Sequence, residues 1–305
     1  MKRSCWLVRR AGLFRAAVGL VFFLLEGLGF LEGLNCLEGL GCQKLCGAAE
    51  PPATGSVPNT ADPPAQPPPL ALQGPKPPPA PKVDPADIDR AIQRGVAFLL
   101  AHQNPDGSWG SPRRTKDLNI YAPPPGALRA FQTGTTALAL SALLEVEVQN
   151  PTLATPELRR AIDRGEDWIF VHLPTLRRAT PDAIYNVWGH AYALQTLAHM
   201  YPRKPHDQAR RQEILRLIRQ QIELLQRYET VDGGWCYYDF ELGTQKPAGS
   251  SISFVSATVL VAFHDVGQLG VEAPRTLVDR ATASIRRQRK PDFSYLYGEY
   301  LRWNP

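Results

Sequence analysis

The sequence predicts an all-α fold in two layers, with amphipathic helices outside and helices that are apolar on every side within. Three observations lead there. Seven segments between residues 86 and 288 carry apolar residues at the three-to-four spacing of a helix. These segments alternate: the first, third, fifth and seventh have a polar face, and the second, fourth and sixth do not. No stretch shows the two-residue alternation of a strand. A helix that is apolar all round must be buried on every side, so the even-numbered segments belong in an inner layer.

Three parts follow one another along the chain. Residues 1–49 read as a signal peptide or N-terminal anchor, with basic residues at Lys2, Arg3, Arg9, Arg10 and Arg15 around an apolar run over 16–25. That run is short for a membrane span. Leu-Glu-Gly-Leu occurs twice, at 31–34 and 37–40, and Gly47-Ala48-Ala49 offers small residues for cleavage. Residues 50–85 are a linker: 14 of 36 positions are proline, a composition that favours extended polyproline II and cannot bury a core. A spacer is one reading, and a ligand for a proline-reading domain is the other. Residues 86–305 form the repeat domain.

The formal net charge of +5 is misleading, because residues 1–49 hold +3 of it. The remaining +2 gives no electrostatic case for nucleic acid. Four of the five cysteines, Cys5, Cys36, Cys42 and Cys46, lie in the leader, so the remainder holds only Cys236 and cannot form an internal disulfide. The expected location is extracytoplasmic, with membrane contact only through the leader.

The first helix carries Ile88, Ile92, Val96, Leu99 and Leu100 on one face. The second is an apolar run over 135–144. The third, over about 157–171, places Leu158, Ile162, Ile169 and Phe170. The fourth, over about 186–200, is mostly apolar. The fifth, over about 207–228, sets Ile214, Leu217, Ile218, Ile222 and Leu225 against a face of Arg and Gln. The sixth, over about 251–266, is apolar all round, and the seventh runs over about 277–288.

The turn after the first helix holds Arg94-Gly95, Phe98-Leu99, Gln103, Gly107 and Trp109. This run resembles the QW repeat of squalene–hopene cyclases, matching each defined position. Arg164-Gly165 with Trp168-Ile169 repeats its first half. Asp232-Gly233-Gly234-Trp235 repeats its end, and Arg280, Ile285, Arg289 and Phe293-Ser294-Tyr295 are a weak echo. The chain therefore resembles the terpenoid cyclase and protein prenyltransferase superfamily. That resemblance implies an α/α toroid of about three and a half hairpins, incomplete as a ring. In such a turn Gly107 and Gly233 supply a positive φ, Gln103 satisfies helix-end groups, and Trp109 and Trp235 pack over a neighbouring repeat.

The chemistry of that superfamily finds few counterparts. A cyclase acid motif of the form Asp-x-Asp-Asp does not occur. Cys236, Asp239 and His264 are zinc-type residues outside the expected Asp-x-Cys order, so no metal and no cofactor is expected. What remains is polar residues at the starts of inner helices: Thr133, Tyr185, Asn186, Trp188, His190, Ser250 and Ser253, preceded by Tyr238 and Asp239. The resemblance puts these starts at a common cavity mouth. There, aromatic and polar groups fit a glycan, lipid or protein ligand, and His190, Asp239 or Tyr238 are the candidates for acid–base work. The alternative makes Thr133, Asn186 and Ser250 helix N-caps and His190 a hydrogen-bonded core residue. The expected function is an exported binding or scaffold module. The alternatives are a cyclase-like cavity enzyme and an inactive fragment. An incomplete ring also leaves an edge for self-association.

Overall fold

The computed structural model describes residues 81–110, 126–178, 183–239, 246–247 and 250–299. The expected leader and all of the linker before residue 81 lie outside the described residues. Residues 81–84 carry no regular structure and run into the first helix.

Seven α-helices make up the described domain: α1 (Pro85–Ala101), α2 (Gly126–Gln149), α3 (Pro156–His172), α4 (Asn186–Met200), α5 (Gln208–Arg227), α6 (Ser253–Gly267) and α7 (Arg275–Gln288). Among the described residues there are no strands, only isolated antiparallel bridges. None of the described helices is long and apolar enough to cross a membrane. The helix α2 begins well before the expected apolar run. Gly134 continues the helix because it lies against Gly189 and Tyr192 of α4, where its small size lets the two helices approach closely.

Packing follows the polarity alternation. The inner helix α4 packs between α2 and α6; α3, α5 and α7 each pack on the inner helix before them, and α1 packs on α3. In α4 every residue is buried except Trp188, Gln195 and His199. These three share one face at helical spacing, so the inner layer shows a single narrow stripe to solvent. The Thr196 hydroxyl ties α4 to α2, donating to the Ala137 carbonyl at 2.8 Å and meeting the Ser141 hydroxyl at 2.8 Å.

Three of the four outer helices also start differently from the inner ones α4 and α6. The outer helices α1, α3 and α5 have side-chain N-caps from Asp84, Thr155 and Asp207, two of them followed by a proline at the first position. The inner helices α4 and α6 have none. Their starts are held instead by backbone pairing with extended segments. Ile184 N–H donates to the Tyr237 carbonyl and Ile252 N–H to the Trp235 carbonyl. Residues 235–239 thus run between the beginnings of α4 and α6.

One turn is built three times. Main-chain N–H groups of Gly107, Gly233 and Phe293 donate to the carbonyls of Asn104, Thr230 and Lys290 at 2.9, 3.0 and 3.0 Å. The N–H groups of those last three donate in return to the carbonyls of Ser108, Gly234 and Ser294. The central residue has φ of 92°, 90° and 66° respectively. In the first two copies the indole N–H of Trp109 or Trp235 reaches back ten residues to the carbonyl of Leu99 or Leu225, both at 2.8 Å. The weak echo at 293–295 thus shares the backbone geometry of the other two turns.

The first two turns are also seated alike on the next hairpin. The Trp109 main-chain N–H donates to Thr136 Oγ1 of α2 at 3.0 Å, and that of Trp235 to Ser256 Oγ of α6 at 2.9 Å. A Cβ on Gly107 would lie 2.5 Å from the Arg164 carbonyl oxygen, and one on Gly233 would lie 2.8 Å from that of Arg280. Gln103 donates to the carbonyls of Gly107 and Ala161 at 2.9 and 2.8 Å and accepts from Arg164. Glu229 stands in the place of Gln103 and is bound by Arg280 at 2.7 Å and by Lys246. The five motif residues Gln103, Gly107, Trp109, Gly233 and Trp235 thus join repeats, and the two tryptophans are almost fully buried.

Candidate functional site

The sequence-derived candidates fall into three groups. The first is fully buried. His190 has no exposed surface and sits between α4 and α5, with Nδ1 2.6 Å from Gln221 Oε1 and Nε2 3.2 Å from Asn186 Nδ2. A neutral imidazole protonated at Nδ1 satisfies both contacts, and the ring stacks on Tyr228. Burial pushes its pKa down to about 4, against a smaller opposing effect of the Gln221 hydrogen bond. The expectation that His190 acts as a base at a cavity mouth is corrected here: its face of α4 turns to the outer helix and no substrate reaches it. Asn186 and Thr133 are buried too. Thr133 lies within α2 and its hydroxyl donates to the Arg129 carbonyl; Asn186 is the first residue of α4, after Tyr185. Neither is an N-cap.

The second group closes the bundle end. Asp239 is almost fully buried and is bound by Arg178 at 2.9 Å, whereas both ring nitrogens of His190 are taken by Asn186 and Gln221. Ser253 donates to the Leu296 carbonyl at 2.7 Å. The neighbouring Ser251 bonds Ser284 and Gln288 of α7 and accepts from the Glu299 main-chain N–H. Ser250 is half-buried and precedes this knot. Cys236 is buried, its Sγ donating to the Tyr238 carbonyl; burial pushes the thiol up to about 12, which leaves it a packing residue.

The third group is brought together and enlarged. Tyr185, Trp188 and Tyr238 belong to a continuous cluster of eight rings across the starts of the three inner helices. Phe131 of α2 lies tilted against Tyr185 with centroids 4.8 Å apart. Tyr185 meets Tyr237 and Tyr238, donating its hydroxyl to that of Tyr238 at 2.8 Å. Trp188 stacks on Tyr192 at 5.7 Å and on Phe254 of α6 at 5.8 Å. Phe254 meets Tyr297 edge-on at 5.2 Å. Phe131, Phe254 and Tyr297 are 42–46% exposed, which for rings of this size is a large apolar surface facing water. Five of the eight, Phe131, Tyr192, Tyr237, Phe254 and Tyr297, were not singled out from the sequence. They lie in five separate segments, and only the fold juxtaposes them.

The charge pattern around these rings is quiet. Arg178 and Asp239 neutralise each other at the edge. Gln132 is engaged with Ser108 at 2.9 Å. No group of three or more metal-ligating side chains occurs among the described residues. A separate cavity of about 440 Å³ lies between α5 and α7, lined by Glu229, Lys246 and Arg280, whose charges bind one another at the joint of the second turn. Comparison of the chain with models of protein families, with curated proteins and with solved structures returns no match.

Proposed function

We propose that this chain is an exported binding module on a terpenoid-cyclase-like α/α toroid that takes its ligand on the aromatic face. The single observation that carries this reading is the exposed ring cluster centred on Trp188 and Phe254. Soluble chains bury such rings unless a partner covers them. The first two QW-type turns support the toroid reading, because each joins one outer helix to the hairpin that follows it. An enzyme reading has less to stand on: His190 is neutral and enclosed, and Asp239 is held in an ion pair.

The test is binding to three probe classes: oligosaccharides, proline-rich peptides and phosphatidylglycerol vesicles. Binding to one of them is expected, with loss in Trp188→Ala/Phe254→Ala at unchanged far-UV circular dichroism. Equal binding by wild type and variant overturns the reading. Export is tested by cell fractionation, where an intact full-length cytosolic product overturns it.

A second reading concerns the edge of the helix row. Aligning Thr136 with Ser256 sets Gly134, Ala137 and Ser141 of α2 against Phe254, Ala257 and Val261 of α6. The first three pack on α4; the last three are exposed. This apolar edge suits self-association with a second copy of the chain.

A further inference from the structure

Resting on the binding reading above, we propose that the aromatic face is a proline-reading surface whose ligand is an extended peptide in the polyproline II conformation. Three features select that class.

The first is a pair of hydrogen-bond donors among the rings. The indole N–H of Trp188 and the hydroxyl of Tyr237 make no hydrogen bond among the described residues, and both side chains are half-exposed. The two rings are neighbours, with centroids 6.3 Å apart. A polyproline II chain has no internal hydrogen bonds, so its carbonyls remain available as acceptors. Trp N–H and Tyr O–H groups set between apolar rings are what such carbonyls need.

The second is the extent of the apolar surface. Trp188, Phe254 and Tyr297 touch in series, and Phe254 and Tyr297 are 42% and 46% exposed, an apolar strip on which pyrrolidine rings can lie. The peptide is already stiff, so little conformational entropy opposes its binding.

The third is the state of the polar side chains. A sugar ligand needs planar amides and carboxylates free to pair with its hydroxyls. Here Asp239 is ion-paired and buried, Asn186 is buried, and Gln132 is bonded to Ser108. An anionic membrane surface needs a patch of free cations; here Arg178 is bound to Asp239 and Arg129 to Gln132, with Arg177 exposed beside Arg178. The uncharged donors favour an uncharged backbone.

The chain's own sequence over residues 61–82, which contains Pro67-Pro68-Pro69 and Pro77-Pro78-Pro79, supplies the probe. Titration of the full chain with this synthetic peptide is followed by tryptophan fluorescence and by calorimetry, beside the same peptide with its prolines replaced by alanine. Saturable binding of the first peptide, at least tenfold weaker for the second, is expected. Trp188→Phe and Tyr237→Phe keep the rings and remove the donors, and each is expected to weaken binding severalfold at unchanged melting temperature. Equal affinity for both peptides, or no effect of either variant, overturns the proposal. Binding of oligosaccharide or phosphatidylglycerol vesicles without peptide binding overturns the ligand class while leaving the binding reading intact. Failure of all three probes removes both.

Discussion

Gly107 and Gly233 hold a backbone conformation, near φ +90°, that a side chain resists, and they also lie against a carbonyl of the next outer helix. Phe293 adopts the third copy of the turn with φ +66° and is exposed enough to tolerate its ring. Gly107→Ala and Gly233→Ala are therefore expected to lose at least about 2 kcal/mol each, from the left-handed backbone and the close contact together, measured by urea unfolding. Trp235→Ala removes a wholly buried ring and its bond to the Leu225 carbonyl, with an expected loss of about 3–5 kcal/mol. His190 adds a pH dependence. Its folded pKa of about 4 lies below the unfolded 6.5, so the unfolded chain takes up the proton first. Stability should be fully present above pH 6.5 and drain away by up to roughly 3 kcal/mol as pH falls to 4. Replacing His190 with Gln should flatten that part of the pH profile; an unchanged profile would show that the imidazole does not carry it.

At the scale of elements, an ion-pair knot clamps the C-terminal end of α2 to α3 and to the loop after α4. Arg203 reaches Glu147 at 2.9 Å, Asp163 at 2.7 Å and the buried Glu166 at 3.2 Å. Burial raises the Glu166 pKa above its ordinary value despite the nearby cations. Arg203→Gln leaves this carboxylate with Lys204 and Arg210 alone, and a loss of about 3 kcal/mol at pH 8 is expected. Protonation of Glu166 relieves that cost, so the variant should fall less far short of wild type at pH 5. The helices themselves were legible in the sequence because burial imposes periodicity: α4 was expected from 186 to 200 and runs there. The start of α2 was not, because Gly134 reads locally as a break, while the helix opposite makes a small residue favourable. The site was legible only in part. The four-residue spacing of Asn186 and His190 places both on one face of α4, yet spacing does not say whether that face meets the rim or α5. Of the aromatic face, Tyr185, Trp188 and Tyr238 were legible, but the other five rings are scattered from 131 to 297 and no one segment carries the whole pattern.

At the scale of the whole domain, α6 is the last inner helix among the described residues, and the side it turns away from α4 sets a question. In repeat architectures each unit buries its apolar faces against its neighbours. The exposed side of α6 is apolar: Phe254 and Val261 are 42% and 43% exposed, Ala257 is exposed between them, and Tyr295 stands at the position where the earlier turns bury a tryptophan. The corresponding side of α2 is closed by α4 through Gly134, Ala137 and Ser141. Phe254 is larger than Gly134 and leans across to Trp188, so a helix docking here would stand further off than α4 does from α2. A wider, flatter contact of this kind suits pairing between two copies of the chain. Val261→Glu introduces a charge into the centre of that edge without touching the inner packing. Sedimentation velocity across a concentration series should show wild-type dimers and a monomeric variant, with the two melting alike at low concentration. A monomeric wild type at high concentration rules out the pairing, and a variant that melts much lower shows that Val261 is held inside the fold.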